Sequence, residues 1–148
     1  MATVGVFCVL LVVLTTTIHY EVLRVLSLSL PGLGVPSRAK LIIVIFAAFA
    51  AHAVQMLLYG VTFFVLTHFL GLGVLGDTAH SSLTICLYFS AETYTSLGFG
   101  DVIPLGPIRL LVGAETLNGL LLIGWTASYT YIAMERFWNA GEGNNLPR

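Results

Sequence analysis

Residues 92–101 read ETYTSLGFGD. Two glycines, two acids and three aliphatic hydroxyls stand together in a chain that is otherwise mostly oil. Of the 148 residues, 57% are hydrophobic and 9% charged, whereas a soluble domain of this size carries about 25% charged residues. The chain reads as an integral membrane protein of one domain at most. In lipid, backbone without regular hydrogen bonding is tolerated only where it lines a water-filled path or is buried in protein. The stretch 92–101 must therefore lie outside the bilayer or do something within it.

Working outward, residues 81–95 form an apolar segment of about 15 residues, short of the roughly 20 that a spanning helix needs. A re-entrant helix is the expectation. The loop 71–80, GLGVLGDTAH, separates it from the longest apolar run, residues 41–70. That run would be about 45 Å long as a helix, enough to cross with tilt. On the other side, Pro104 is followed by a last spanning helix over 108–134 and a short polar tail, 136–148. Residues 1–19 form an extra N-terminal helix, because the stretch has neither a positive start nor a small-x-small cleavage site. Residues 20–40 hold Arg24, Arg38 and Lys40 and are broken by Pro31, Gly32, Gly34 and Pro36. They read as a cytoplasmic or interfacial connector. There is no internal repeat.

Basic residues set the orientation. The connector has three, the tail has Arg136 and Arg148, and the loop 71–80 has none, only Asp77 and His80. The positive-inside rule puts connector and C-terminus in the cytoplasm and the N-terminus outside, in a multi-pass protein of the cell membrane. Arg109 is a single counterexample. A net charge of −1 offers no basic face to nucleic acid. Cys8 and Cys86 lie in apolar surroundings and read as small hydrophobes, not as a disulfide or metal site.

The run TSLGFGD, residues 95–101, resembles the selectivity-filter signature of the potassium-channel pore family, T-T-V-G-Y-G-D. The likeness extends to the aromatic pair Tyr88 and Phe89, to Glu92 three residues before Thr95, to Pro104 and to Arg109. It covers the order outer helix, re-entrant pore helix, filter, inner helix, roughly residues 41–135, and leaves the first helix outside. It implies an all-α integral membrane fold, a small bacterial-type member with three transmembrane helices, assembled as a homotetramer. The function implied is a potassium channel, not an enzyme. Carbonyls of Ser96, Leu97, Gly98 and Phe99 would hold K+, the permeant ion and the only metal, with no other cofactor. Tyr88, Glu92, Thr95, Gly100 and Asp101 would support the filter, and Gly119, Leu120, Ile123, Ala127 and Tyr131 would form the cavity and gate. The partners implied are copies of itself, membrane lipid and monovalent cations.

Physical chemistry agrees with the likeness. Rings of backbone carbonyls can replace a cation's hydration shell. Pointing successive carbonyls one way needs dihedrals that glycine adopts without penalty, hence Gly98 and Gly100 alternating with Leu97 and Phe99. One strand cannot surround an ion, so copies must assemble about an axis. Three positions depart from the signature: Ser96, Leu97 and Phe99 replace Thr, Val and Tyr. A looser filter that also passes sodium is the alternative.

Several residues carry two readings. Glu92 and Asp101 resemble a pair that shares one proton, which would raise one of their pKa values; alternatively Glu92 satisfies nearby backbone groups. Glu115 either faces the cavity, as acids inside membranes often serve function, or bonds hydroxyls such as those of Thr93 or Thr95. Gly119 is either a hinge or a helix-packing glycine. His52 and Gln55 read as interhelical hydrogen-bonding residues among close-packing alanines. His19, Tyr129, Tyr131, Phe137 and Trp138 read as an aromatic belt. The run G-F-G-D also matches the G-x-G-D motif of intramembrane aspartyl proteases, but the second aspartate, Asp77, lies in a loop. A scaffold with a dead pore is a third reading. No arginine repeat resembles a voltage sensor.

Overall fold

The computed structural model describes residues 1–76 and 82–142, the last five for their backbone only. Four helices carry the fold: α1 (Ala2–Ser29), α2 (Ser37–His68), α3 (Leu83–Tyr94) and α4 (Arg109–Glu142). Three of them are long and apolar enough to cross a membrane, as in a multi-pass membrane protein. Two-residue strands, β1 (Val74–Leu75) and β2 (Pro104–Leu105), pair antiparallel and are a small addition to an otherwise helical chain.

The first helix is longer than the sequence suggested. α1 does not stop at residue 19 but runs to Ser29 and ends in a single 3₁₀ turn, Leu30–Gly32. Glu21 and Arg24, read as the start of a connector, instead form a 3.1 Å ion pair one turn apart on the helix surface. Nothing in HYEVLRVLSLS breaks a helix before Pro31, so the turn comes there. The connector shrinks to the few residues around Gly34 and Pro36. Pro36, extended at ψ 151°, caps α2, so Arg38 and Lys40 lie in the first turns of that helix. At the other end α4 passes residue 134 and takes in most of the expected tail. Phe137 is buried there beneath the Lys40 ammonium, 5.5 Å from its ring centre, and gives the helix a reason to continue. Residues 143–148 lie outside the described residues, as do Asp77, His80 and Ser81.

The helices pack in layers. One apolar cluster joins Val4, Cys8 and Leu11 of α1 to Tyr59, Phe63 and Leu66 of α2, Cys86 and Phe89 of α3, and Leu111 of α4. A second joins Leu23 and Leu26 of α1 to Val44 of α2 and Ala133 and Phe137 of α4. α1 therefore runs antiparallel to α2 and parallel to α4. Between the clusters lies a polar layer, in which Thr15, His19, Gln55, Glu115 and Asn118 are all buried. Helices that are apolar all round gain little from hydrophobic exclusion in lipid. Close packing and interhelical hydrogen bonds decide which faces meet. Gly60 supplies closeness: a Cβ there would stand 3.0 Å from the Leu87 Cα and 3.2 Å from the Cys86 carbonyl oxygen, so the backbones of α2 and α3 approach closely.

The β1–β2 ladder ties the loop after α2 to the loop before α4. Gly76 N donates to the Ile103 carbonyl at 3.0 Å, and Ile108 N to the Leu72 carbonyl at 3.3 Å. Gly73 fits because a Cβ would lie 2.5 Å from the Leu105 carbonyl. The segment between α3 and α4 is thus anchored at both ends.

Candidate functional site

α3 is positioned from its first turn. Ser82 caps it, its hydroxyl accepting from Ile85 N at 3.3 Å, which satisfies one orphan donor of the helix start. At the other end, Thr95 caps the helix and Ser96 N reaches the Thr93 carbonyl at 3.0 Å. The chain then leaves helical geometry by alternation. Ser96, Gly98 and Gly100 have φ of 59°, 53° and 80°. Nothing lies within 4 Å of a Cβ added at Gly98 or Gly100, so the glycines serve the left-handed backbone, not a close approach. Ser96 adopts the same conformation with a side chain, which costs conformational energy. No residue pattern signals that strain.

The donors of this segment have one destination. Leu97 N and Gly98 N both reach the Glu92 carbonyl, at 2.9 and 3.3 Å. Phe99 N reaches the Glu92 carboxylate oxygen Oε2 at 3.1 Å. Three consecutive N–H groups therefore turn back to one residue near the end of α3. The carbonyls of Ser96, Leu97, Gly98 and Phe99 accept no hydrogen bond among the described residues.

Tyr88 holds the far end of the segment. Its hydroxyl donates to the Asp101 carboxylate at 3.0 Å, and its ring stacks on Phe99 with centroids 6.4 Å apart and planes 3° apart. Loss of water around the Tyr88 hydroxyl, and then the Asp101 carboxylate beside it, raise its pKa above the usual phenol range. It remains a donor at neutral pH. The two acids expected to share a proton do not share a hydrogen bond. Glu92, buried, serves Phe99 N, and Asp101, exposed, serves Tyr88. The reading in which Glu92 satisfies nearby backbone is the one that fits.

A family model described as "Ion channel" matches residues 40–136, from the first turns of α2 almost to the end of α4. The chain belongs to that family, the potassium-channel pore family. The inward rectifier potassium channel Kirbac3.1 of Paramagnetospirillum magnetotacticum is 34% identical over 64 residues, which are 43% of this chain and 22% of that protein. The chain thus spans about a fifth of that relative's length. No solved structure gives a significant match. α1 stands outside the matched residues.

The remaining candidates of the channel separate into two groups. Leu120, Ile123, Ala127 and Tyr131 are all exposed, and their spacing puts them along one side of α4. Gly119 is not among them. A Cβ there would stand 2.1 Å from the Tyr94 carbonyl oxygen, so this glycine lets α4 touch the end of α3. α4 runs through it without a break, and the contact fits the packing reading of this glycine. Glu115 is fully buried, and its Oε1 lies 2.5 Å from the Ser90 hydroxyl, which also donates to the Met56 carbonyl at 2.8 Å. It faces α3, as one reading had it, but meets Ser90 where Thr93 or Thr95 was expected. Its other oxygen has no partner among the described residues.

His19 is the clearest departure. Read as a boundary aromatic, it is fully buried between α2 and α4. Of the rest of the belt, Tyr129 bonds Ser27 at 3.0 Å, Tyr131 is exposed and Phe137 is buried. Thr15, Ser90, Tyr94, Asn118 and Thr126 all make polar contacts between helices that the sequence reading did not single out. The available signal was spacing: Thr15 and His19, or Gln55 and Tyr59, lie four residues apart and so share a helix face.

Proposed function

We propose that the channel conducts potassium ions through a filter made by residues 95–101 of four identical chains. One observation carries the reading. Left-handed residues alternate at 96, 98 and 100 while three N–H groups in a row turn back to Glu92. The four carbonyls of Ser96, Leu97, Gly98 and Phe99 are left unengaged on the other side. Carbonyl oxygens in that number suit a monovalent cation that has shed its water.

One chain offers such an edge but cannot enclose an ion, and its exposed surfaces support closure by copies. Leu97 and Phe99 are 60% and 65% exposed in the single chain, and the α4 side bearing Leu120, Ile123, Ala127 and Tyr131 is open. In a fourfold assembly that side of α4 lines a water cavity below the filter. α3 ends at its mouth, where the helix dipole favours a cation by about 0.3–1 kcal/mol. Tyr88, Glu92, Thr95, Gly100 and Asp101 keep the filter in shape. The connector and C-terminus face the cytoplasm.

Selectivity for potassium over sodium is favoured by the brace at the filter's outer end. Phe99 lacks a hydroxyl, but its ring is stacked on Tyr88, which also holds Asp101. The relative's name, a potassium channel, points the same way. The second reading, a channel passing both ions, is favoured by Ser96, whose left-handed backbone is strained and whose side chain lacks the methyl of threonine. Reversal potentials of purified protein in planar bilayers, across opposed potassium and sodium gradients, separate the two. A potential near the potassium equilibrium value supports the filter reading. One near zero supports the nonselective alternative, and absence of any cation current refutes both.

A further inference from the structure

In the polar layer between the two apolar clusters, His19 of α1 and His52 of α2 have ring centres 5.1 Å apart. With Gln55, Thr126 and Tyr94 they close a ring of hydrogen bonds through all four helices. The direction of that ring can be worked out from one fixed acceptor. The Gln55 amide nitrogen lies 3.4 Å from the Thr15 carbonyl, which can only accept, so the nitrogen and not the oxygen faces α1. The same nitrogen lies 3.1 Å from His19 Nδ1, which must therefore accept, leaving the hydrogen on Nε2. Nε2 donates to Thr126 Oγ1 at 3.1 Å. The Thr126 hydroxyl donates in turn to His52 Nε2 at 2.9 Å, so His52 carries its hydrogen on Nδ1. Nδ1 donates to the Tyr94 hydroxyl at 2.9 Å, and Tyr94 donates to the Gln55 amide oxygen.

Every donor on the circuit meets an acceptor, and both histidines are neutral in opposite tautomers. Tyr59 and Glu115 lie nearby, and Trp125 packs on His19 at 5.5 Å. No lysine, arginine or aspartate hydrogen-bonds to the ring among the described residues.

The ring ends at a functional place. Tyr94 is the last residue of α3, and the next residue begins segment 95–101. Its hydroxyl is held by the ring, and its carbonyl sits against Gly119. α1, which lies outside the residues shared with the ion-channel family, thus reaches the base of the filter through side chains. We propose that His19 is a positioning residue for conduction: acting through Gln55 on one side and Thr126 and His52 on the other, it holds Tyr94 and so keeps the filter in its conducting shape. The inference rests on the filter reading above.

The test is single-channel recording of the full-length channel in planar bilayers, with assembly checked by size in detergent. His19→Phe removes both polar contacts and retains bulk. His19→Gln offers one acceptor and one donor, as neutral histidine does. Tyr94→Phe removes a single oxygen. Expected are conducting bursts about threefold shorter in H19F and in Y94F, the factor one interhelical hydrogen bond in a membrane is worth. H19Q is expected to restore the wild-type duration, and the H19F/Y94F double variant to be no worse than either single one. Wild-type bursts in H19F, H19Q as poor as H19F, or additive losses in the double variant would each overturn the inference. Should H19F not assemble, Y94F against H19Q makes the same comparison, and wild-type bursts in Y94F overturn it. A wild type that carries no current removes the filter reading and this inference together, whereas a conducting wild type with unaltered variants removes this inference alone.

Discussion

Segment 95–101 and the buried polar ring are both made of hydrogen bonds, but they are completed differently. The ring uses up its donors and acceptors within one chain, drawing a residue from each of α1, α3 and α4 and two from α2. The segment satisfies only its N–H side, at Glu92, and leaves its carbonyls and the side chains of Leu97 and Phe99 exposed. A self-contained network stiffens a chain. A half-satisfied one leaves groups open to bind. The chain places the second directly after the first, with Tyr94 belonging to the ring and Thr95 beginning the segment.

The largest effect should come from breaking the unfinished side. Gly98→Ala puts a side chain at φ 53°, costing roughly 1–2 kcal/mol in each chain. Potassium flux into liposomes should be lost while assembly persists, because nothing lies within 4 Å of the added Cβ. Full flux would mean that the left-handed backbone is not what conducts.

Glu92→Ala comes next. It leaves Phe99 N without its acceptor, a cost of about 1–3 kcal/mol. Conducting bursts should shorten severalfold with the reversal potential unchanged, and Glu92→Gln, which retains an acceptor, should lie between. Unaltered burst lengths would remove Glu92 from the brace.

On the self-contained side, Gly119→Ala places a Cβ 2.1 Å from the Tyr94 carbonyl. Overpacking of this kind costs about 1–3 kcal/mol. The thermal midpoint in detergent should fall, whereas Gly113→Ala, with no atom within 4 Å, should leave it in place. Equal behaviour of the two would show that α3 and α4 do not depend on this contact.

Smallest is the contrast between ring and surface. Gln55→Leu should lower stability by about 0.6–2 kcal/mol. Glu21→Gln, which breaks the exposed pair with Arg24, should lower it by less than about 0.5 kcal/mol. Denaturation of the two variants side by side checks the ordering.

The same contrast explains what could be read from the sequence. Segment 95–101 was legible because its chemistry is local: glycine spacing, flanking aromatics and Glu92 all fall within a short window. The three long helices were legible from hydropathy alone. The end of α1 was not, because Glu21 and Arg24 look like the end of a membrane span when read one by one. On a helix they neutralise each other, and only Pro31 stops the chain. The ring was hidden for a different reason. The four-residue spacing of Thr15 and His19, or of Gln55 and Tyr59, marks a shared face but not the helix it meets, and His19 reads as an interfacial residue until α4 supplies Thr126. The expectation for Glu92 and Asp101 came from resemblance, and within one chain their hydrogen bonds go elsewhere, Asp101 to Tyr88 and Glu92 to Phe99 N.

The order of α1 and α2 along the chain has a consequence for biosynthesis. When α2 leaves the ribosome it brings the amide of Gln55 and the imidazole of His52 toward lipid, where unmatched polar groups are costly. By then α1 has been made, and the Thr15 carbonyl and His19 ring can receive them. The leading helix thereby acts as an insertion template for the one that follows, so damage to it should first appear as a shortage of protein in the membrane.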